Sequence, residues 1–136
     1  MFSSMLLTIS IVALSQFAIY YWRAVLAGVA SLPVSDRVLK AAQVENGRFN
    51  AADFVALAGI HDLTPELYPN ANRGGLAFVR LYYRAVGALG TLAGSRIPAL
   101  ADWSVRERII CARFAAVQID RRLQANLALA ASLRSC

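Results

Sequence analysis

The stretch FSSMLLTISIVALSQFAIYYW, residues 2–22, contains no charged side chain and is followed directly by Arg23. At ~1.5 Å per residue, a helix over this stretch is about 30 Å long, which matches the hydrocarbon core of a bilayer. Its last three residues are Tyr20, Tyr21 and Trp22, and such rings gather at membrane interfaces. We therefore expect a membrane-spanning helix with Tyr20, Tyr21, Trp22 and Arg23 at the membrane interface.

Three other interpretations of residues 2–22 are open. A cleaved secretory signal has a basic residue before a shorter apolar run, and the only small-residue cleavage site, Gly28 to Ala30, lies beyond Arg23. The core helix of a soluble protein can be equally apolar. An amphipathic helix on the membrane surface needs a charged face, which this stretch lacks. The length of the run favours a retained span.

The charges beside the stretch predict its orientation. Arg23, Arg37 and Lys40 follow it within about 20 residues, the range over which basic residues favour the cytoplasmic side. No basic side chain precedes it. We therefore expect a single-pass membrane protein with its N-terminus outside, residues 1–31 as the anchor and its extension, and residues 32–136 as a cytoplasmic domain.

Polar side chains inside the stretch are candidates for contact with another helix. Thr8, Ser15 and Gln16 carry groups that can bond across helices in lipid. Alternatively, the hydroxyls bond to their own helix and the Gln16 amide reaches towards the interface.

Composition narrows the classes of function. The chain has 136 residues and a net charge of +6, and Lys40 is the only lysine among its basic residues. A basic domain held at the cytoplasmic leaflet is attracted to anionic lipid by ~1 kcal/mol per basic residue near the surface. The arginines are scattered and lack the aromatic pattern of RNA-reading modules, so nucleic acid is not indicated as a partner.

No catalytic or metal-binding signature is present. The two cysteines, Cys111 and Cys136, are too few for a zinc site, and no cofactor is predicted. His61 is the only histidine, and Asp62 and Glu66 lie close to it in sequence. These three residues are a weak candidate site for acid–base chemistry, since no nucleophile is placed beside them. A lone histidine on an apolar face is more often a packing residue.

Start and stop signals predict an all-α fold, with the single transmembrane helix followed by a small bundle of about four helices. The predicted helices of the bundle are 36–43, 51–60, 76–89 and 105–133. Ser104 and Glu107 have the spacing of a capping box, so 98–103 is expected to be a connection. Asn50 is the expected N-cap of its helix, and Asp53 can reach back to it. The stretch 69–75, PNANRGG, is expected to be a loop.

The predicted last helix has two apolar faces, one through Ile109 and Ala116 and one through Phe114 and Val117. A helix that is apolar on two sides has to be covered on two sides, by its own domain or by a partner. We therefore expect a membrane-anchored accessory, scaffold or assembly protein that binds other proteins or a second copy of itself through helical faces. The alternatives are a small ligand-binding or enzymatic module near His61, and a peripheral contact of the arginines with anionic lipid or nucleic acid.

Overall fold

The computed structural model describes residues 1–44, 48–64 and 73–136, and for Arg73 and Gly74 the backbone alone. Within these ranges the chain is all-helical, with one long apolar N-terminal helix followed by a helical bundle, as the sequence predicts. The five helices of the described chain are α1 Phe2–Ala30, α2 Asp36–Ala41, α3 Asp53–Leu63, α4 Arg73–Ala93 and α5 Pro98–Arg134.

Helix α5 is the centre of the bundle, and each of the other four helices packs against it. Cys111, Ala112, Ala115 and Ala116 are fully buried in its middle. These side chains are small, so neighbouring helices can approach α5 closely from several directions. Residues 121–134, by contrast, are largely exposed.

The two apolar faces predicted for the last helix are both covered where α5 crosses the body. Phe114 and Val117 are buried, as are Ala116 and Ile119 on the other side. In this part of α5 the body therefore supplies the cover that the sequence pattern demands.

Helix α1 has two parts in different surroundings. Residues 2–21, which we call the bare half, are exposed along their whole length. Residues 22–30, the rooted half, contribute Leu26 and Ala30 to the core of the body, with Trp22 and Val29 packed partly against it. Helix α1 is long and apolar enough to cross a membrane, and none of its most apolar 18-residue window is buried in the described structure.

Two contacts show that α1 and α5 run in the same direction. Arg23 meets Glu107, and Ser35, just beyond α1, donates a hydrogen bond of 2.5 Å to Asp120. Ser35 is the residue before α2, and its hydroxyl bonds to α5 and does not cap the helix. The short helix α2 therefore starts where it was expected but is held to the body by tertiary contact.

Helix α4 runs antiparallel to α5, and the two form a hairpin. Ser104 Oγ donates to the Val86 carbonyl at 2.9 Å, and Arg108 donates to the Tyr83 hydroxyl at 2.8 Å further from the connection. Because α1 and α5 are parallel, this hairpin turns on the same side of the body from which the bare half of α1 leaves.

The predicted start of the last helix was wrong. Helix α5 begins at Pro98, and residues 98–103, expected to be a connection, form its first turns. Proline suits the first helical position, since its missing N–H has no partner there in any helix. Ser104 and Glu107 lie inside α5 and are buried, where their side chains bond to other helices instead of forming a capping box.

The boundaries of α3 and α4 also differ from those predicted. Asn50 makes no side-chain cap, but its N–H donates to Asp53 Oδ2 at 2.7 Å, which is the half of the reciprocal pair that Asp53 was expected to supply. Helix α4 begins at Arg73, so Gly74 and Gly75 are helical where a loop was predicted. Positions 69–72 of that stretch lie outside the described residues. Helix α4 continues to Ala93, so it extends the predicted 76–89 at both ends in spite of the low helix propensity of Gly74, Gly75 and Gly90.

Candidate functional site

A buried carboxylate joins α1 to the body at the point where the bare half ends. The Glu107 side chain, only 4% exposed, accepts hydrogen bonds from Arg23 Nη2 at 2.5 Å and from the Tyr82 hydroxyl at 2.8 Å. A buried carboxylate without partners is strongly destabilising, and a charged donor together with a neutral donor satisfies this one. One side chain of α5 thus fixes residues of both α1 and α4.

Aromatic rings surround this ion pair. The Arg23 guanidinium carbon lies 5.8 Å from the centre of the Trp103 ring, within the range of a cation–π contact. Trp22 meets Phe78 edge to face, with ring centres 4.6 Å apart. We call Trp22, Arg23, Tyr82, Trp103 and Glu107 together the anchor root.

The four residues predicted for the membrane interface fall into two pairs. Trp22 and Arg23 contact the body through the anchor root, whereas Tyr20 and Tyr21 are exposed on the bare half. Sequence reasoning missed Glu107 as the partner of Arg23. Glu107 is an acidic residue on an apolar face of the last helix, and this position could have indicated a basic partner. Its spacing from Ser104 matches a capping box, which offered a local explanation instead.

The protonation of the anchor root suits its geometry. Burial, followed by its hydrogen bond to Glu107, raises the pKa of Tyr82 far above its usual value, so the phenol stays protonated and donates. Burial also raises the pKa of the nearby Cys111 to about 12, with the Glu107 charge as a further cause. The Cys111 thiol is therefore unreactive near neutral pH.

His61 and Asp62 lie together at the C-terminal end of α3 with two arginines. Arg80 pairs with Asp62 at 2.6 Å and donates to the Ala58 carbonyl at 3.0 Å, and Arg122 donates to the His61 carbonyl at 3.2 Å. Cations at this end of a helix satisfy its free carbonyls and oppose its dipole. The two arginines thus cap the C-terminal end of α3.

The histidine itself is largely buried. His61 Nδ1 is 3.8 Å from the nearest Asp62 oxygen, too far for a hydrogen bond. Burial, and then the Arg122 charge, lowers the pKa of His61, while the hydrogen bond from Arg80 lowers the pKa of Asp62. The imidazole is therefore neutral at pH 7. Glu66, the third residue of the weak candidate site, lies outside the described residues.

Two open pockets on the body have arginines in their lining. One of about 360 Å³ is bordered by Asp62, Arg80 and Tyr83. A larger one of about 520 Å³ has an apolar floor that includes Phe49 and is edged by three arginines: Arg48, Arg106 and Arg113. In the described part of the chain, none of these three arginines pairs with a carboxylate. The larger pocket, which we call the arginine pocket, is thus suited to an anion.

The polar residues of the bare half are satisfied differently. The hydroxyls of Thr8 and Ser15 donate to the carbonyls of Ser4 and Ile11, each at 2.7 Å within the same helix. Gln16 makes no hydrogen bond to any described residue. Of the three residues predicted for contact inside the membrane, Gln16 alone has a polar group left to pair.

Comparisons with protein-family models, with curated proteins and with solved structures found no match. Among the described residues, no group of three or more His, Cys, Asp or Glu side chains is arranged to hold a metal ion. The most distinctive feature of the described structure is the bare half of α1.

Proposed function

We propose that the protein is a single-pass membrane protein whose bare half crosses the bilayer and whose helical body serves as an accessory, scaffold or assembly module for other proteins. The observation that carries the proposal is the bare half itself, about 30 Å of apolar helix that is exposed along its whole length in the described part of the chain. Soluble monomers rarely expose apolar patches beyond a few hundred Å². A bilayer covers such a helix over its whole length.

The anchor root supports retention of this helix over its removal as a signal. Cleavage after Ala30 would take away Leu26, which is 1% exposed in the core, and Arg23, which pairs with Glu107. Loss of the half-exposed Arg23 as the partner of Glu107 alone costs about 2 kcal/mol, a sizeable part of the stability of a small domain. These losses favour retention of the N-terminal helix over its cleavage.

The charges favour a cytoplasmic body. Arg37 and Lys40 are exposed on the body side of the anchor, and basic residues close to a span favour the cytoplasmic side. In this orientation the arginine pocket lies on the same side of the membrane as the leaflet that is rich in anionic lipid.

A labelling experiment tests the orientation with one reactive thiol. Cys136 is exposed, whereas Cys111 is buried and stays protonated. A membrane-impermeant maleimide added to intact cells should not label the protein until the cells are permeabilised. The matched control, Ser3→Cys in a Cys136→Ser background, should be labelled from outside. Labelling of Cys136 in intact cells would reverse the orientation.

Gln16 supports the role in assembly. Its amide has no hydrogen-bond partner among the described residues and lies about 9 Å along the helix from Trp22. Inside a bilayer, an amide of a neighbouring helix gives such a group about 1–2 kcal/mol. We therefore expect Gln16 to bond to a helix of a partner protein or of a second copy of this chain.

Extraction in mild detergent, followed by measurement of size and mass, tests the role in assembly. The wild-type protein should leave the membrane in a complex, and Gln16→Leu should weaken that complex. Ser15→Ala is the control, because the Ser15 hydroxyl is already bonded to Ile11 and its loss should leave the complex intact. A monodisperse wild-type monomer with no co-purifying protein would argue against the proposal.

The arginine pocket favours a second candidate function, contact with anionic lipid. Its three arginines surround an apolar floor, so that phosphate and acyl chain could both be met. Native mass spectrometry of the detergent-solubilised protein should show phosphatidylglycerol retained over phosphatidylcholine. Retention of phosphatidylglycerol should fall as the salt concentration rises, and it should fall in the double variant Arg106→Gln, Arg113→Gln. It should not fall in the control Arg134→Gln, which lies at the exposed end of α5. Salt-insensitive retention would exclude this contact.

A further inference from the structure

We propose that the turn of the α4–α5 hairpin is a second membrane contact, which enters one leaflet of the bilayer beside α1 without crossing it. We define the hairpin tip as residues 89–101. The inference rests on the proposed function, since the tip can meet lipid only if the bare half of α1 lies in a bilayer.

The direction of the helices places the tip on the membrane side. Arg23 meets Glu107 and Ser35 meets Asp120, so α1 and α5 are parallel, and the start of α5 lies on the side from which the bare half leaves. From Glu107 back to Pro98, α5 extends by about 13 Å at 1.5 Å per residue. The tip therefore lies on the membrane side of the ion pair.

The tip has the surface chemistry of a group that meets lipid. Leu92 is 78% exposed, and Leu89 and Ile97 are exposed beside it. Between Arg84 and Asp102 the only charged residue is Arg96. A single arginine at the turn can extend its charged end to the headgroups while its aliphatic stem stays among the chains.

Three backbone N–H groups of the turn are bonded within the hairpin, which lowers the cost of placing this backbone in lipid. The N–H groups of Gly94, Arg96 and Ile97 donate to carbonyls of Gly90 and Ala93 at 2.9–3.1 Å. The Thr91 hydroxyl donates to the Ala88 carbonyl at 2.9 Å. A loop with free N–H groups would lose several kcal/mol for each one in hydrocarbon, and these four donors are all bonded within the hairpin.

The length of the uncharged segment limits the depth of entry. Residues 85–95 of α4 and its turn extend for about 16 Å as a helix, half of the ~30 Å needed to cross. Trp103 follows the tip on α5 and stacks with Arg23, close to Tyr20 and Tyr21 in the sequence of α1. Aromatic residues of two helices thus mark a common interfacial level, beyond which the tip enters one leaflet.

The test uses single cysteines that carry an environment-sensitive fluorophore, in a Cys136→Ser background where Cys111 stays buried. The variants are Leu92→Cys at the tip, Val12→Cys in the bare half and Leu133→Cys at the far, exposed end of α5. Each full-length protein is reconstituted in phosphatidylcholine–phosphatidylglycerol vesicles with nitroxide-labelled acyl chains. All three positions are exposed on the protein, so the label should not disturb the fold, which circular dichroism checks.

We expect blue-shifted emission and lipid quenching at positions 12 and 92, several-fold stronger than at position 133. Shallow nitroxides should quench position 92 best, and deep ones position 12. If position 12 is quenched and position 92 behaves like 133, the tip lies in water and the inference fails while the anchor stands. A blue shift at 92 without lipid quenching means that protein covers the tip, which also overturns the inference. If position 12 is unquenched as well, the proposed function itself fails.

Discussion

The bare and rooted halves of α1 belong to one unbroken helix and are both rich in apolar residues, yet only one of them touches the body. The rooted half has a buried stripe through Leu26 and Ala30 and begins next to Arg23, whereas the bare half is apolar on every side and carries no charge. Hydropathy alone therefore does not show which part of α1 packs against the body. The division occurs at Arg23, the first charge, because its partner Glu107 lies in the body.

The strongest test of this division is the removal of one leucine side chain from each half. Leu26→Ala should lower the free energy of unfolding of the body by about 3 kcal/mol, since it leaves a cavity at a fully packed site. Leu14→Ala, an equal truncation in the bare half, should leave that free energy unchanged. Denaturant unfolding in detergent micelles measures both. Equal losses would mean that the two halves are not distinct.

Removal of the Arg23 charge should have the next largest effect. Arg23→Met should cost about 2 kcal/mol, less than for a fully buried pair because the Arg23 side chain is 45% exposed. The loss arises from the Glu107 carboxylate, which remains buried with only Tyr82 to bond it.

A double-mutant cycle separates that cause from lost packing. Glu107→Gln removes the buried charge, so Arg23→Met in that background should cost much less than it does alone. Costs that simply add would show that the ion pair does not hold the rooted half in place.

A smaller effect is expected where helices approach most closely. A methyl group on Gly90 would overlap the Ser104 side chain, so Gly90→Ala should destabilise the body by about 1 kcal/mol after the gain in helix propensity. Gly28 in the rooted half has open space around it, and Gly28→Ala should be neutral or stabilising. Thermal unfolding of the two variants compares the inner face of α4 with the outer face of α1. An unchanged melting temperature for Gly90→Ala would contradict the close contact between Gly90 and Ser104.

The smallest effect is a dependence on pH that comes from the body alone, since the bare half has no side chain that titrates near neutrality. Burial lowers the pKa of His61 below its ordinary 6.5, so the unfolded chain binds a proton that the folded chain refuses. Stability should therefore fall as the pH drops below about 6.5. His61→Gln should flatten this part of a stability–pH curve, and an unchanged curve would show that His61 is accessible to protons in the folded state. His61 is the only histidine, so no second imidazole obscures the result.

Local patterns explain how much of the fold could be predicted. The all-α class follows from the periodicity of the apolar residues, and the long apolar helix follows from the absence of charge in residues 2–22. Both signals are local, because each arises within a few turns of chain. The start of α5 could not be placed, because Ser104 and Glu107 satisfy a local pattern and a distant contact equally well. Their actual partners, Val86 and Arg23, are set by packing between helices, and no spacing in the sequence shows that.

The candidate sites follow the same rule. The spacing of Gly90 and Gly94 resembles a contact motif of membrane helices, but Gly90 serves the approach of Ser104 within the body. His61 and Asp62 are adjacent in sequence, whereas the two arginines that bond to the C-terminal end of α3 come from α4 and α5. Neighbours in sequence could be predicted, and neighbours in space could not.

The parallel placement of α1 against α5 has a consequence for how the chain is made. Glu107 follows Arg23 by 84 residues, and every other helix packs on α5, which is synthesised after them. During translation α1 emerges first, and its rooted half has no partner on α5 until α5 has been synthesised. The body therefore cannot fold step by step from its N-terminus and assembles when α5 joins the helices that precede it.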